Sequence, residues 1–304
     1  MIEIASLGKT YRSLIGSRTV AALQDVSLTI AQGEVVGVAG PNGAGKSTLI
    51  SILLGFLQPT TGQVRIAGVP PRRFVERHGT SYLPELLLLP PRWTVESALQ
   101  RHATLARIPA EDVSKRTEQI VEWLGLGEHR KKQIRQLSKG TLQRLGLAQS
   151  LIGDSDLVVF DEPTHGLDPL WTQRFRDIVR ELRRPGRCMF IASHDLDELE
   201  RLADRVAILH QGRLERVVAA GAGSAEEGPV VYRLAASGAA AAIARVFPSA
   251  TLVEGRNNEW RVRGRVAELN RGLGELIAAG AVVLSFAPES SRLEAEFRAA
   301  VEGR

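Results

Sequence analysis

Three short stretches of this 304-residue chain carry residue types and spacings suited to phosphate chemistry. In GVAGPNGAGKSTLI, Gly40, Gly45, Lys46 and Ser47 fit the spacing Gly-x-x-x-x-Gly-Lys-Ser; Pro41, Asn42, Gly43 and Ala44 lie between the glycines and Thr48 follows. Glycines let successive backbone N–H groups converge on phosphate oxygens, and a helix opening after the loop adds the partial positive charge of its N-terminus. Lys46 brings a full charge to the β/γ-phosphates, and the Ser47 hydroxyl suits a Mg²⁺ ion. The second stretch is DLVVFDE, an apolar run ending in Asp161 and Glu162. An acid at a strand's end can hold Mg²⁺, often through water, and the next carboxylate can take a proton from attacking water. Two adjacent acids also describe a solvated turn, but a phosphate loop in the same chain favours chemistry. The third is RQLSKGTLQR, residues 135–144, where Ser138 and Gly140 form an anion-binding turn with no phosphate motif beside it.

These residues need a scaffold of strands and helices. EVVGVA reads as a strand before the glycine loop, and STLISILLGFL as a helix running to Pro59. The Ser138–Gly140 turn opens a helix near Thr141. From Met1 to about Val218, β-rich runs alternate with helical patterns, the mark of an α/β domain over 1–218. AAGAGSAEEG, residues 219–228, has small residues and no periodicity and reads as a linker. Residues 229–304 read as strand VVYRL, helix GAAAAIARVF, a hairpin in ATLVEGRNNEWRVR, helix VAELNRGLGELIAAG, strand AVVLSFAP and a closing helix. The order β-α-β-β-α-β matches a ferredoxin-like α+β domain with one helix appended.

Composition narrows the class. Hydrophobic residues make up 44% and charged residues 24%, as in a soluble globular protein, and the net charge of +5 is modest. The basic clusters His129–Lys132 and Arg183–Arg187 carry no interleaved aromatics and read as solvated helix faces, so no nucleic-acid partner is expected. The N-terminus lacks a signal peptide's apolar core, and the best apolar run, Leu276–Ala287, falls short of a membrane span. The single cysteine, Cys188, excludes an internal disulfide, and its apolar run CMFIAS places it on a buried strand. A cytoplasmic protein is expected.

In order along the chain, GKTY with Tyr11, GPNGAGKST, SYLPE with Glu85, LSKGT, DLVVFDEPT, GLD at 166–168 and ASHD with His194 resemble the motifs of an ABC transporter ATP-binding subunit of the export-type branch. The resemblance runs from about Ile2 to Val217. It implies the ABC ATPase form of the P-loop NTPase fold: a RecA-like core, a helical signature subdomain and an N-terminal β-subdomain. ATP and Mg²⁺ are the implied ligands. Tyr11 would stack on adenine, Gly40–Thr48 would cradle the phosphates, and Ser47, Asp161 and Glu85 would hold the metal. Glu162 is then the base and His194 contacts the γ-phosphate and the attacking water, with Lys46 beside them. The resemblance further implies that Ser138 and Gly140 bind ATP held by the opposite subunit of a head-to-tail dimer, with Asp168 of the D-loop at the same interface.

Three departures stand out. Lys139 and Thr141 replace a glycine and the glutamine of the usual Leu-Ser-Gly-Gly-Gln, and Lys139 adds attraction for phosphate. Glu85 replaces glutamine and cannot donate an amide hydrogen. The segment RSLIGSRTV after Tyr11 is longer than usual. His165, just before the D-loop, reads as an interface residue. The leading reading is an ATP-hydrolysing subunit that works as a homodimer under a separately encoded export permease, peripheral on the inner (plasma) membrane. The permease would dock near Leu86–Trp93, where LLLLPPRW puts apolar side chains on a loop; the same leucines could instead fill the core beneath the helical subdomain. An importer subunit and a soluble non-transport ABC ATPase are the alternatives.

Overall fold

The computed structural model describes residues 1–12, 19–220, 230–237, 240–253, 258–289 and 292–302. The chain divides into two compact units, Met1–Ala220 with Ala300–Arg304, and Gly221–Ala299. Most of the linker expected over 219–228 lies outside the described residues.

The first unit opens with two long antiparallel strands, β1 (Ile2–Arg12) and β2 (Thr19–Ile30). Val26, Leu28 and Ile30 alternate inward along β2, the period-2 pattern of a strand with one wet face. There follow β3 (Val35–Ala39), α1 (Lys46–Leu53), β4 (Thr61–Ile66), α2 (Pro71–His78), β5 (Ser81–Leu83), α3 (Val95–Leu105), α4 (Val113–Trp123) and α5 (Lys139–Leu151). Then come β6 (Leu157–Asp161), α6 (Pro169–Leu182), β7 (Cys188–Ala192), α7 (Leu196–Leu202), β8 (Arg205–His210) and β9 (Arg213–Ala219). β4 joins the first two strands in a sheet of order β2-β1-β4.

The central sheet has the order β5-β6-β7-β3-β8-β9, parallel except where β9 runs against β8. Every residue of β3, β6 and β7 is buried. That is why each reads as an unbroken apolar run: both faces of a parallel sheet are covered. Cys188 opens β7 and is buried, as its apolar run implied. Helices α3, α4 and α5 pack on one another and form a helical group beside the sheet. Helix α1 stops at Leu53, short of the Pro59 end expected from its apolar run, and Gly55 then takes a left-handed φ of 74° that no helix interior allows. Helix α5 begins at Lys139 rather than near Thr141, because Ser138 caps it.

The second unit runs β10 (Val230–Ser237), α8 (Ala240–Val246), β11 (Thr251–Leu252), β12 (Glu259–Gly264), α9 (Val266–Ala278), β13 (Val282–Pro288) and α10 (Arg292–Glu302) up to Ala299. Its antiparallel sheet has the order β11-β12-β10-β13. Leu234, Ile243, Trp260, Val262, Leu269 and Leu276 form its core. The hairpin strands pair as expected, Thr251 with Arg261 and Leu252 with Trp260, while residues 254–257 of the turn lie outside the described residues. No helix among the described residues is long and apolar enough to cross a membrane.

Candidate functional site

The glycine loop leaves the buried end of β3 and enters α1 at Lys46. Gly45 caps that helix at φ 109°, and a Cβ there would lie 2.6 Å from the Ala22 carbonyl oxygen, so the position admits only glycine. No acidic residue occupies the first turn of α1, which leaves its positive end open to an anion. Lys46 is buried, and its Nζ donates to the Gly40 carbonyl at 2.6 Å, so the ammonium is held across the mouth of the loop.

A cavity of about 710 Å³ opens over this loop. Pro41–Thr48 floor it, and Tyr11, Glu85, the adjacent pair Asp161 and Glu162, and His194 converge on it from four other segments. Gly40 lies beneath, holding Lys46. Tyr11 projects from β1, half exposed, with Lys9 Nζ 5.4 Å from its ring centroid. Residues 13–18 of the longer segment after it lie outside the described residues. Val20, Ala21 and Ala22 of β2 and His165 complete the wall. Val20–Ala22 carry no motif; only the fold brings this strand to the loop. A second cavity, about 550 Å³, lies among His78, His102 and Gln149 and contains none of the phosphate-motif residues.

β6 delivers two carboxylates in different settings. Asp161 is 5% exposed, and its pKa is pushed up to about 6, chiefly by burial and then by Glu85 and Glu162, with Lys46 pulling the other way. Tyr82 on β5 feels the same crowding: burial, Asp161 and Glu85 all raise its pKa. Glu162 stands just past the strand in a left-handed turn, φ 50°, which swings its side chain towards the loop after β7. Its amide donates to the Ala192 carbonyl at 2.9 Å. Its Oε1 accepts the His194 amide at 3.0 Å, and its Oε2 accepts Ser193 Oγ at 3.2 Å and lies 2.8 Å from His194 Nδ1. The ring of His194 is otherwise open to solvent. A carboxylate there fixes the proton on Nδ1 and turns Nε2 outward.

Ser138 and Gly140 lie outside this cavity, at the start of α5. Ser138 Oγ accepts the Thr141 amide at 3.2 Å and sits 2.9 Å from Thr141 Oγ1. Its hydroxyl hydrogen can still be donated elsewhere. Asp168 also stands apart from the cavity lining and caps α6, accepting the Trp171 amide at 2.9 Å. Lys139, expected to add attraction for phosphate, points to His165: its Nζ lies 2.9 Å from Nε2 of that ring. Sequence reasoning missed Gln143, which is buried and donates to the Pro163 carbonyl at 2.8 Å.

The loop after Glu85 divides its apolar residues. Leu86 and Leu88 are 70% and 81% exposed, Leu87 packs over Gly146 of α5, and Trp93 is half-buried under Arg101 at 4.6 Å.

The chain matches a protein-family model described as ABC transporter over residues 23–165. An uncharacterized ABC transporter ATP-binding protein of Nostoc sp. is 41% identical over 70% of this chain and 65% of its own length. The chain thus spans less than two thirds of that relative. The lantibiotic transport ATP-binding protein SrtF of Streptococcus pyogenes is 35% identical over 70% of this chain and 89% of its own length. Among solved structures, the dimeric ABC transporter cassette MJ0796 shares the fold at TM-score 0.67 and 24% identity, covering 73% of this chain and 100% of that one.

Proposed function

The chain belongs to the ABC transporter family of ATP-binding proteins, and from that premise we propose that it is the ATP-hydrolysing subunit of an exporter. The observation that carries the reading is the convergence of the glycine loop, Asp161, Glu162 and His194 on one cavity. ATP enters with its adenine against Tyr11 and its phosphates on the amides of Gly40–Thr48. Lys46, already held over the loop, exchanges its Gly40 carbonyl for phosphate oxygens at little cost in ordering.

Among the described residues no group of three or more His, Cys, Asp or Glu side chains is placed to hold a metal ion, so a cation here needs phosphate oxygens to complete its shell. Asp161 fits that partnership: a buried carboxylate crowded by Glu85 and Glu162 is relieved by a nearby positive charge. Ser47, Asp161 and Glu85 are the residues that would hold Mg²⁺, which would supply neutralisation of charge on the phosphates. Glu162 accepts the proton of the attacking water, and His194 orients that water against the γ-phosphate. The second set of ligands, Ser138 and Gly140, comes from another copy of the chain in a head-to-tail dimer, with Asp168 at the interface. The dimeric arrangement of MJ0796 supports this reading.

Closure of two copies around two ATP molecules is a rigid-body switch that can drive a membrane partner. The exposed Leu86 and Leu88 offer a separately encoded permease its docking site, which would hold the protein against the inner (plasma) membrane. YLPE and SKG support the export branch. Phosphate release by the purified chain tests the core of the proposal: Mg²⁺-dependent ATP turnover is expected, and Lys46→Ala is expected to lose it together with ATP affinity. A chain without ATP turnover, or a Lys46→Ala variant at the wild-type rate, contradicts it.

A further inference from the structure

Lys139 and Gln143 are four residues apart on α5, one helical turn along the same face, and both grip the turn that follows Glu162. Gln143 Nε2 donates to the Glu162 carbonyl at 3.3 Å and to the Pro163 carbonyl at 2.8 Å. Lys139 Nζ meets His165 Nε2 at 2.9 Å. An ammonium has only donors, so Lys139 Nζ donates and His165 Nε2 accepts. The His165 amide in turn donates to the Glu162 carbonyl at 3.1 Å. The methylenes of Lys139 lie across Gly166, whose Cβ, were it present, would be 3.0 Å from them. A cation in the first turn of a helix opposes the helix dipole, so Lys139 gains nothing from α5 itself; its partner is His165.

We propose that Lys139, His165 and Gln143 form a strut that ties the Ser138–Gly140 turn to the peptide carrying Glu162 in the same subunit. This rests on the reading that the Ser138–Gly140 turn engages ATP held by a second copy. Ligand on that turn then sets the position of the Glu162 carboxylate at the subunit's own cavity, and each site senses the other through three side chains. Lys139 is a positioning residue whose side chain serves the Glu162 turn rather than the phosphate.

Steady-state ATP turnover of the full chain tests the strut. Lys139→Met and His165→Ala are each expected to lower kcat about tenfold with KM within about twofold, and the double variant to fall no further than either alone, as contacting partners do. Lys139→Arg and His165→Gln, which keep a donor and an acceptor, are expected to recover most of the rate. A raised KM at unchanged kcat, additive losses in the double variant, or single variants at the wild-type rate each overturn the strut. Glu162→Gln with ATP separates this from the underlying reading. Lys139→Met in that background is expected still to form the ATP-dependent dimer, and its loss would make Lys139 an association residue instead. If Glu162→Gln alone stays monomeric, the dimer reading falls, and the strut with it.

Discussion

The imidazole of His194 rests on the carboxylate of Glu162, with Nδ1 2.8 Å from Oε2 and the His194 amide 3.0 Å from Oε1. Ser193 supplies a further hydrogen bond to Oε2, which fills that oxygen and leaves Oε1 one free lone pair. The base is thus held by the residue proposed to orient its water.

His194→Ala removes one of the two hydrogen bonds to Oε2, leaving that of Ser193, and with it the group that aims water and γ-phosphate. Turnover is expected to fall by about 10²-fold or more while ATP affinity stays unchanged. Single-turnover phosphate release and fluorescent-nucleotide titration measure the two separately. A faster variant would mean that the pair restrains Glu162 rather than assisting it.

Asp161 gives the ligand-free protein a pH signature. Its folded pKa of about 6 lies above the carboxylate's ordinary 3.8, so between those values the folded state binds more protons than the unfolded one. Its stabilising contribution is complete below the unfolded value and is lost as pH rises through about 6, by on the order of 3 kcal/mol at neutral pH. Asp161→Asn is therefore expected to unfold at higher urea concentration than wild type at pH 7.5, with the difference vanishing near pH 4. A gap of the same size at both pH values would place its cause outside this titration.

The sequence legibility of the site follows how local each feature is. Gly40 to Thr48 are contiguous, so their spacing alone announces the loop, and the turn that Gly45 makes is a property of one residue. β3, β6 and β7 were legible because burial on both faces leaves unbroken apolar runs. The αβ order of the second unit was legible from alternating periods, but strand neighbours such as β10 between β12 and β13 depend on pairing that no local pattern encodes. The link from Lys139 to His165 spans 26 residues and joins two side chains that separately read as a phosphate attractor and an interface residue. Leu87 and Leu88 look alike in LLLLPPRW, and only the path of the loop over Gly146 sends one inward and the other to solvent.

That division makes Leu88 the clean probe of the permease surface, whereas Trp93 also supports Arg101. Leu88→Ser is expected to change the stability of the isolated subunit by no more than about 0.5 kcal/mol, as for surface positions, and to abolish co-purification with the separately encoded permease proposed above. Thermal unfolding and pull-down read the two arms. A loss of roughly 2–5 kcal/mol, typical of an emptied core position, would assign Leu88 to packing.

The central claim is that each ATP site is completed by Ser138 and Gly140 of a second copy. Glu162→Gln, by slowing hydrolysis about 10²–10⁴-fold, should leave ATP trapped between the copies. Sedimentation of this variant measures the outcome directly. With ATP and Mg²⁺ its mass is expected to reach twice the 33.0 kDa of one chain, and adding Ser138→Arg is expected to return it to one chain without loss of nucleotide binding. A Glu162→Gln variant that binds ATP yet sediments as a single chain, or a dimer indifferent to Ser138→Arg, would contradict the composite site.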